Sequence, residues 1–254
     1  MAGFDPQSKA RTALSVLANL IWPPLSAISR RPVSAPGLLD SADWRAIQFL
    51  DRPWCEVCGI PFSYEQPAPS ICTACLTRQP AYSRARASFV YDDHSRDLVL
   101  GLKHAGQTES VRSFGRWMAR AGADCLSDAD RLIPVPLHPS RLRARRFNQS
   151  LLLAKAISKE TGISVDAHSL RRIKSTPSQA GLSEKGRQRN VAGVFNVPDH
   201  RAGHVAGLRL VLIDDVFTTG ATLEACTRAL KRAGADDVSV ITLARVVKPA
   251  NLIK

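Results

Sequence analysis

The sequence predicts an α/β fold, a doubly wound parallel sheet preceded by a small cysteine-bearing module. Three observations carry that expectation. Short apolar runs suited to buried strands (Arg131–Leu137, Leu208–Asp214, Val238–Ala244) alternate with segments of helical period, the pattern of parallel strands joined by crossover helices. One run, Val211-Leu212-Ile213, leads into Asp214-Asp215-Val216-Phe217-Thr218-Thr219-Gly220-Ala221-Thr222, where carboxylates, hydroxyls and a glycine separate a strand from a helix. Four cysteines stand apart from this alternation, as Cys55-Glu56-Val57-Cys58 and Cys72-Thr73-Ala74-Cys75.

Taken in order, the first 50 residues are expected to hold one or two helices and a Pro-rich link (Pro23-Pro24, Pro32, Pro36). Residues 9–22 imitate a secretory leader, but Pro23-Pro24 follow and no small-x-small cleavage site does. Leu14, Leu17 and Ile21 fit an amphipathic helix better. Arg86–Tyr91 reads as a strand, His94–His104 and Thr108–Cys125 as helices, and Arg131–Leu137 as a strand turning at His138-Pro139. Phe147–Thr161 has strong helical period (Leu151, Leu152, Ala154, Ile157), with Gly162 placed as its C-terminal cap. Ile163–Val165 suits a short strand. Ile173–Asn190 is polar and suits a loop or hood. Leu208–Asp214 and Val238–Ala244 complete the sheet around a Thr222–Ala233 helix, where Cys226 shares the apolar face of Leu223 and Leu230.

The Asp214–Thr222 stretch has the clearest chemistry. A helix N-terminus offers unpaired N–H groups and a positive dipole end to an anion. Thr218, Thr219 and Thr222 add donors, and Gly220 lets the backbone close in. Carboxylates repel phosphate, so Asp214 and Asp215 suit sugar hydroxyls or a ligand-borne cation. A plain capped helix after a core strand is the alternative, and two adjacent Asp followed by three Thr in five residues argue against it. No G-x-x-x-x-G-K-[ST] or G-x-G-x-x-G occurs, which disfavours nucleotide hydrolysis and nicotinamide chemistry.

Composition is that of a globular chain, at 44% hydrophobic and 22% charged residues over 254 positions, with no apolar run long enough for a transmembrane helix. The net charge of +13 is uneven. Residues 131–189 hold 13 basic side chains against Glu160, Asp166 and Glu184, a net +10. A solvated basic face and a polyanion-binding surface both fit.

Two C-x-x-C pairs thirteen residues apart can place four thiolates around one tetrahedral zinc, in a closed and therefore structural site. Disulfides are disfavoured because nothing else suggests secretion, which points to a cytoplasmic protein. A redox pair suits this small Pro-rich segment less well. Cys125 is read as structural.

The Asp214–Thr222 pattern resembles the ribose-phosphate signature of type I phosphoribosyltransferases, which bind phosphoribosyl pyrophosphate (PRPP) with magnesium. Three further segments narrow the resemblance. One is Tyr91-Asp92 with Arg96, Leu98, Leu102-Lys103 and Gly106. The next is Pro134–Pro139 with Arg141, Arg143, Arg145 and Phe147-Asn148-Gln149-Ser150. The last is Arg171-Arg172 with Thr176, Gln179, Leu182, Arg187, Asn190-Val191 and Phe195. Together with the cysteine pairs, these resemble the ComF family over about residues 30 to 247.

That resemblance implies a type I phosphoribosyltransferase fold behind a zinc ribbon, in proteins linked to natural competence and single-stranded DNA beside a helicase-like partner. It implies three segments: 1–50, helical or a degenerate ribbon; 51–82, a zinc ribbon; and 83–254, the phosphoribosyltransferase-like domain. Family members often carry a further pair of C-x-x-C motifs earlier, and residues 30–50 contain no cysteine, so one zinc is expected at Cys55, Cys58, Cys72 and Cys75.

The resemblance gives Asp214 and Asp215 the ribose hydroxyls, and Thr218, Thr219, Gly220, Ala221 and Thr222 the 5-phosphate. It gives His138 and Arg141 the pyrophosphate loop, and magnesium arrives with PRPP. For His138 a plain turn is an equal reading. Arg141, Arg143, Arg145, Arg146, Arg171, Arg172 and Lys174 are nucleic-acid candidates. The four arginines at 141–146 would oppose the dipole at the start of the Phe147–Thr161 helix, which suggests a use other than solvation. Aromatic residues are only 6%, so backbone contacts are expected over base stacking. Three functional classes stay open: a PRPP-binding protein in DNA handling, an active transferase with an unidentified acceptor, and a zinc-ribbon interaction protein with a vestigial pocket.

Overall fold

The longest apolar runs form the middle of a five-stranded parallel sheet. The computed structural model describes residues 22–102, 109–174 and 193–247, apart from the side chains of residues 141, 144 and 145. Its strands are β1 (Ala85–Val90), β2 (Arg131–Pro134), β3 (Ser164–Val165), β4 (Arg171–Arg172), β5 (Phe195–Asn196), β6 (Arg209–Phe217) and β7 (Asp237–Arg245). The main sheet has the order β1-β7-β6-β2-β3, every neighbouring pair parallel.

Both faces of this sheet are covered by helices, so its strands are apolar along their length instead of alternating. Successive residues still point to opposite faces. Leu210 and Leu212 pack with Leu223, Cys226 and Leu230 of α8 (Ala221–Arg232). Val211 and Ile213 pack with Phe114 and Met118 of α4 (Val111–Ala121), and with Leu153 and Ile157 of α7 (Gln149–Thr161). The remaining helices are α1 (Ser41–Ala46), α2 (Thr73–Thr77), α3 (Arg96–Gly101), α5 (Ala123–Leu126) and α6 (Pro139–Arg145). Cys125 and Cys226 are both buried.

Several expectations need adjusting. The helix expected from Phe147 begins at Gln149, because Asn148 caps it by accepting the Ser150 N–H at 3.1 Å. The arginines expected at that helix's start lie instead on or just after α6, which ends at Arg146 in the left-handed region (φ 64°). There Arg143 falls in the last turn, where the dipole favours a cation, so the argument from opposed charge does not extend to it. The helix expected over Thr108–Cys125 breaks at Gly122, where a Cβ would meet the Ile241 side chain at 2.2 Å. Gly162 caps α7 at φ 77°, as its position suggested.

The antiparallel pair β4–β5 was not foreseen, since two-residue strands carry no period to detect. Of the Ile173–Asn190 loop only Ile173 and Lys174 fall within the described residues. Of the expected 9–22 helix only Trp22 does. No helix among the described residues is long and apolar enough to cross a membrane.

The outer edge of β1 is closed by chain from the N-terminal module. Ala85 N–H donates to Val57 O at 2.7 Å, Leu50 N–H to Ser88 O at 2.9 Å, and Val90 N–H to Gln48 O at 2.9 Å. Gly59 makes the close approach possible, because a Cβ there would lie 2.2 Å from Ala85 O.

Helix α4 lies against α7 through Gly115, where a Cβ would stand 2.6 Å from the Ala156 Cβ. Gly115→Val forces these helices apart, and the expected cost is about 2–3 kcal/mol. Urea unfolding should show the midpoint falling with the m-value unchanged.

Candidate functional site

Where β2 stops, β6 continues, and this mismatch opens the site. The last β2 pairing is Pro134 with Ile213, whereas β6 runs on with β7 as far as Phe217 opposite Arg245. Asp214 and Asp215 are therefore inside β6, not at its end, and lie just past the end of its shorter neighbour. They face a cavity of about 350 Å³ lined also by Tyr91, Val135, Pro136, Leu137, Gln149, Ser150, Arg172, Thr218, Gly220, Ala221 and Thr222.

The turn into α8 is set by Gly220, whose φ of 76° suits glycine and whose absent Cβ would touch the Phe217 ring at 3.0 Å. Gly220 is the N-cap of α8 and supplies no side-chain cap hydrogen bond. The Thr219 hydroxyl is buried without a hydrogen-bond partner among the described residues and does not line the cavity.

Across the cavity, Asn148 donates to Val135 O at 3.0 Å and fixes the loop after β2. Ser150 Oγ donates to Asp214 Oδ1 at 2.9 Å, tying α7 to β6, and the Asp215 N–H reaches the same oxygen at 2.9 Å. Gln149 is 2% exposed, lines the cavity, and has no partner for its Nε2 among the described residues. A buried amide without a partner costs on the order of 1–3 kcal/mol, which a ligand's acceptor can recover.

Burial, then the charge of Asp215, pushes the Asp214 carboxyl up to about 7. The hydrogen bonds from the Asp215 N–H and Ser150 pull the other way without cancelling that rise.

The other sequence candidates scatter. His138 caps α6, with its Nδ1 2.7 Å from Ser140 Oγ, and does not line the cavity. The Arg141 and Arg145 side chains lie outside the described residues. Arg143, Arg146, Arg171 and Lys174 are exposed, and among the basic candidates with described side chains Arg172 alone reaches the cavity, its guanidinium 5.4 Å from the Phe195 ring centroid. Tyr91, Gln149 and Ser150 went unassigned from sequence. Ser150 stands in the Phe147-Asn148-Gln149-Ser150 motif with no role of its own, and its contact with Asp214 spans 64 residues.

The four cysteine Sγ atoms lie within 4.8 Å of one another, with Cys58 and Cys72 at 3.7 Å. Zn–S bonds of about 2.3 Å place the sulfurs of a tetrahedral site about 3.8 Å apart, so the set fits one zinc. Cys58 and Cys72 N–H groups point at Cys55 Sγ at 3.5 and 3.3 Å, as they would toward a thiolate. Arg245, buried at the end of β7, donates to Cys58 O and stacks on Phe217, 4.2 Å from its ring centroid. One side chain thus connects the cysteine cluster to the turn below the cavity.

A family model of the phosphoribosyl transferase domain matches residues 148–252. The chain is 32% identical over 200 residues to the DNA utilization protein YhgH of Salmonella typhimurium, covering 76% of this chain and 84% of that one. It belongs to the ComF family. Competence protein F of Haemophilus influenzae is 29% identical over 203 residues, covering 78% and 87%. Competence protein ComFC of Bacillus subtilis is 27% identical over 200 residues, covering 75% and 77%. The ComF chain therefore combines a phosphoribosyltransferase-like parallel sheet with an N-terminal cysteine cluster of zinc-site geometry.

The raised carboxyl sets a direction for pH. Folded Asp214 holds a proton that the unfolded chain releases above about pH 4, so stability falls as pH rises from about 4 to 7. Asp214→Asn keeps an acceptor for Ser150 and removes the charge. At pH 8 the ligand-free variant should be more stable than wild type by about 1–2 kcal/mol, discounted because the cavity is open to water. Melting curves at pH 5 and pH 8 check this, with the difference vanishing at the lower pH.

Proposed function

We propose that the cavity binds a phosphoribosyl ligand, PRPP or ribose 5-phosphate, and that the protein handles single-stranded DNA in the cytoplasm during natural competence. The observation that carries the first part is the convergence of two carboxylates and a glycine-started helix N-terminus on one cavity. The turn from Thr218 to Thr222, with Thr218, Gly220, Ala221 and Thr222 on the cavity wall, suits the 5-phosphate, and Asp214 and Asp215 suit the ribose hydroxyls. Their oxygen chemistry also suits magnesium carried in on the ligand, which would neutralise pyrophosphate charge there. Arg172 adds a cation on the cavity wall.

The DNA role rests on the relatives' names and on the basic excess of residues 131–189. Exposed Arg143 and Arg146 would serve as phosphate contacts, and a sugar-phosphate pocket can hold a strand's terminus. A helicase-like competence protein is the expected partner. A second reading, transfer of phosphoribose to an unidentified acceptor, is favoured by Gln149, whose unpaired amide gives the cavity one more group to satisfy than ribose and phosphate need. A third, a ribbon that docks a partner over a vestigial pocket, is favoured if replacing Asp214 and Asp215 by Asn leaves DNA uptake unchanged.

Calorimetry with magnesium and millimolar PRPP should show saturable binding. Asp215→Asn combined with Asp214→Asn should weaken it at least about tenfold, or about 1.4 kcal/mol; absence of binding to wild type overturns the reading. Single-stranded DNA affinity should fall with salt, and Arg143→Ala with Arg146→Ala should flatten the log–log slope by about 1.4. The cysteine cluster should carry one structural zinc per chain. Cys75→Ser should release it and lower the melting temperature, measured by metal analysis and calorimetry.

A further inference from the structure

Residues 24–46 repeat the first knuckle and the helix start of residues 53–77 in several matched backbone hydrogen bonds. The isolated antiparallel bridge Leu25–Pro32 matches Trp54–Pro61. Ser26 N–H donates to Arg31 O at 2.8 Å, where Cys55 N–H donates to Ile60 O at 2.9 Å. Arg30 N–H donates to Ser26 O at 3.1 Å, where Gly59 N–H donates to Cys55 O at 2.8 Å. Val33 N–H closes on Pro24 O at 2.8 Å, and Phe62 N–H on Pro53 O at 2.9 Å. Arg30 even adopts the left-handed φ of 59° that Gly59 holds at 68°.

The second halves correspond as well. Each copy ends in a short helix, α1 capped by Asp40 and α2 capped by Cys72, both with ψ of 154° at the cap. Trp44 N–H donates to Asp40 O at 2.8 Å, and Leu76 N–H to Cys72 O at 3.0 Å. In sequence the match is thin but visible, as Pro24-x-Ser26-x-Ile28-Ser29-x-x-Pro32 against Pro53-x-Cys55-x-Val57-Cys58-x-x-Pro61.

By this register Ser26, Ser29, Asp40 and Asp43 stand where Cys55, Cys58, Cys72 and Cys75 stand. Ser26 and Asp43 are 0% and 8% exposed, Cys55 and Cys75 0% and 7%. Where Cys72 N–H points at Cys55 Sγ at 3.3 Å, Asp40 N–H points at Ser26 Oγ at 3.2 Å. Asp43 Oδ2 then accepts from Ser26 Oγ at 2.5 Å, Ser29 Oγ at 2.6 Å and Ser29 N–H at 3.1 Å. One carboxylate oxygen joins the first knuckle to the second helix, which is the cross-link a metal would make. Burial opposes ionisation of Asp43, but the bonds from Ser26 and Ser29 hold its carboxyl below the usual range. Asp40 differs, turning its side chain to the Ala42 N–H at 2.9 Å and to Arg31.

We propose that residues 24–46 are a second, metal-free ribbon, in which the Asp43 carboxylate bonded by Ser26 and Ser29 does the work zinc does for Cys55, Cys58, Cys72 and Cys75. The two halves of the N-terminal module are thus held by different chemistry, one removable by chelators and the other not. The site offers no thiolate, and its central carboxylate oxygen is already satisfied by three hydrogen bonds, so the set does not fit a thiophilic metal.

The comparison rests on the zinc reading of residues 53–77, and the native full-length chain tests that separately by holding one zinc. Combining S26C, S29C, D40C and D43C in one full-length chain should raise zinc from one to two per chain. A folded variant that still holds one overturns the proposal. Should that variant not fold, hydrogen exchange decides. Asp43→Ala should reduce protection of residues 24–46 at least tenfold while zinc content and protection of 53–77 stay at native values; unchanged protection of 24–46 overturns the proposal. A chelator should strip protection from 53–77 and leave 24–46 within twofold, and equal loss in both segments overturns it as well.

Discussion

A parallel sheet needs something to close its edges, and the outer edge of β1 is where this structure is most constrained. Every residue of β1 is buried, so its outward backbone groups have no water to bond. Residues 48–57 supply the partners, and the N-terminal module is thereby part of the sheet's architecture as much as an attachment to it. Arg86 shows how tightly the two are joined. It lies 2% exposed within β1, bonded to Glu56 O at 3.0 Å and Glu56 Oε2 at 3.1 Å on one side and to Asp124 Oδ2 at 2.5 Å on the other. The Trp54 ring lies 5.1 Å from its guanidinium, so a buried cation is compensated from several directions.

The same logic extends to the cavity. Arg245 takes the strand next to β1 and uses one guanidinium to reach Cys58 and cover Phe217. Phe217 in turn limits the space at Gly220, which sets the entry to α8. The ring that shapes the turn is thus held from the side of the cysteine cluster. On the opposite wall, Ser150 and Asn148 hold Asp214 and the loop after β2 from the start of α7. Two adjacent carboxylates are kept close to a helix N-terminus by neighbours that stabilise the fold, and their repulsion is the cost of having a site at all.

The fold class was legible in the sequence, and so was the contiguous part of the candidate site. Val211–Ile213 and Val238–Ala244 are long enough and apolar enough to declare buried strands, and Asp214 to Thr222 carries its chemistry within nine consecutive residues. The cysteine pairs declare a metal geometry by spacing alone. Misreadings fell where local pattern competes with a cap or a break. Asn148 interrupts what looked like one basic helix start, and Gly122 divides one helix because Ile241 needs the space. The proposed metal-free ribbon starts at Pro24, inside the 1–50 segment expected to be helical or a degenerate ribbon and within its proline-rich link. Without cysteines nothing in the local chemistry marks it.

What the sequence determined by itself is whatever is written in contiguous residues: strand apolarity, the acidic and hydroxyl turn, and the paired thiols. Tertiary structure alone decided which residues meet across the chain. Gln149, Ser150, Tyr91 and Arg172 join Asp214 only because β2 ends four residues before β6 does, leaving room past Pro134. Ser26 and Asp43, 17 residues apart, make a cross-link only because the chain folds back on itself as its cysteine-bearing counterpart does. Such contacts depend on distance in space, which a linear pattern of serine and aspartate does not encode.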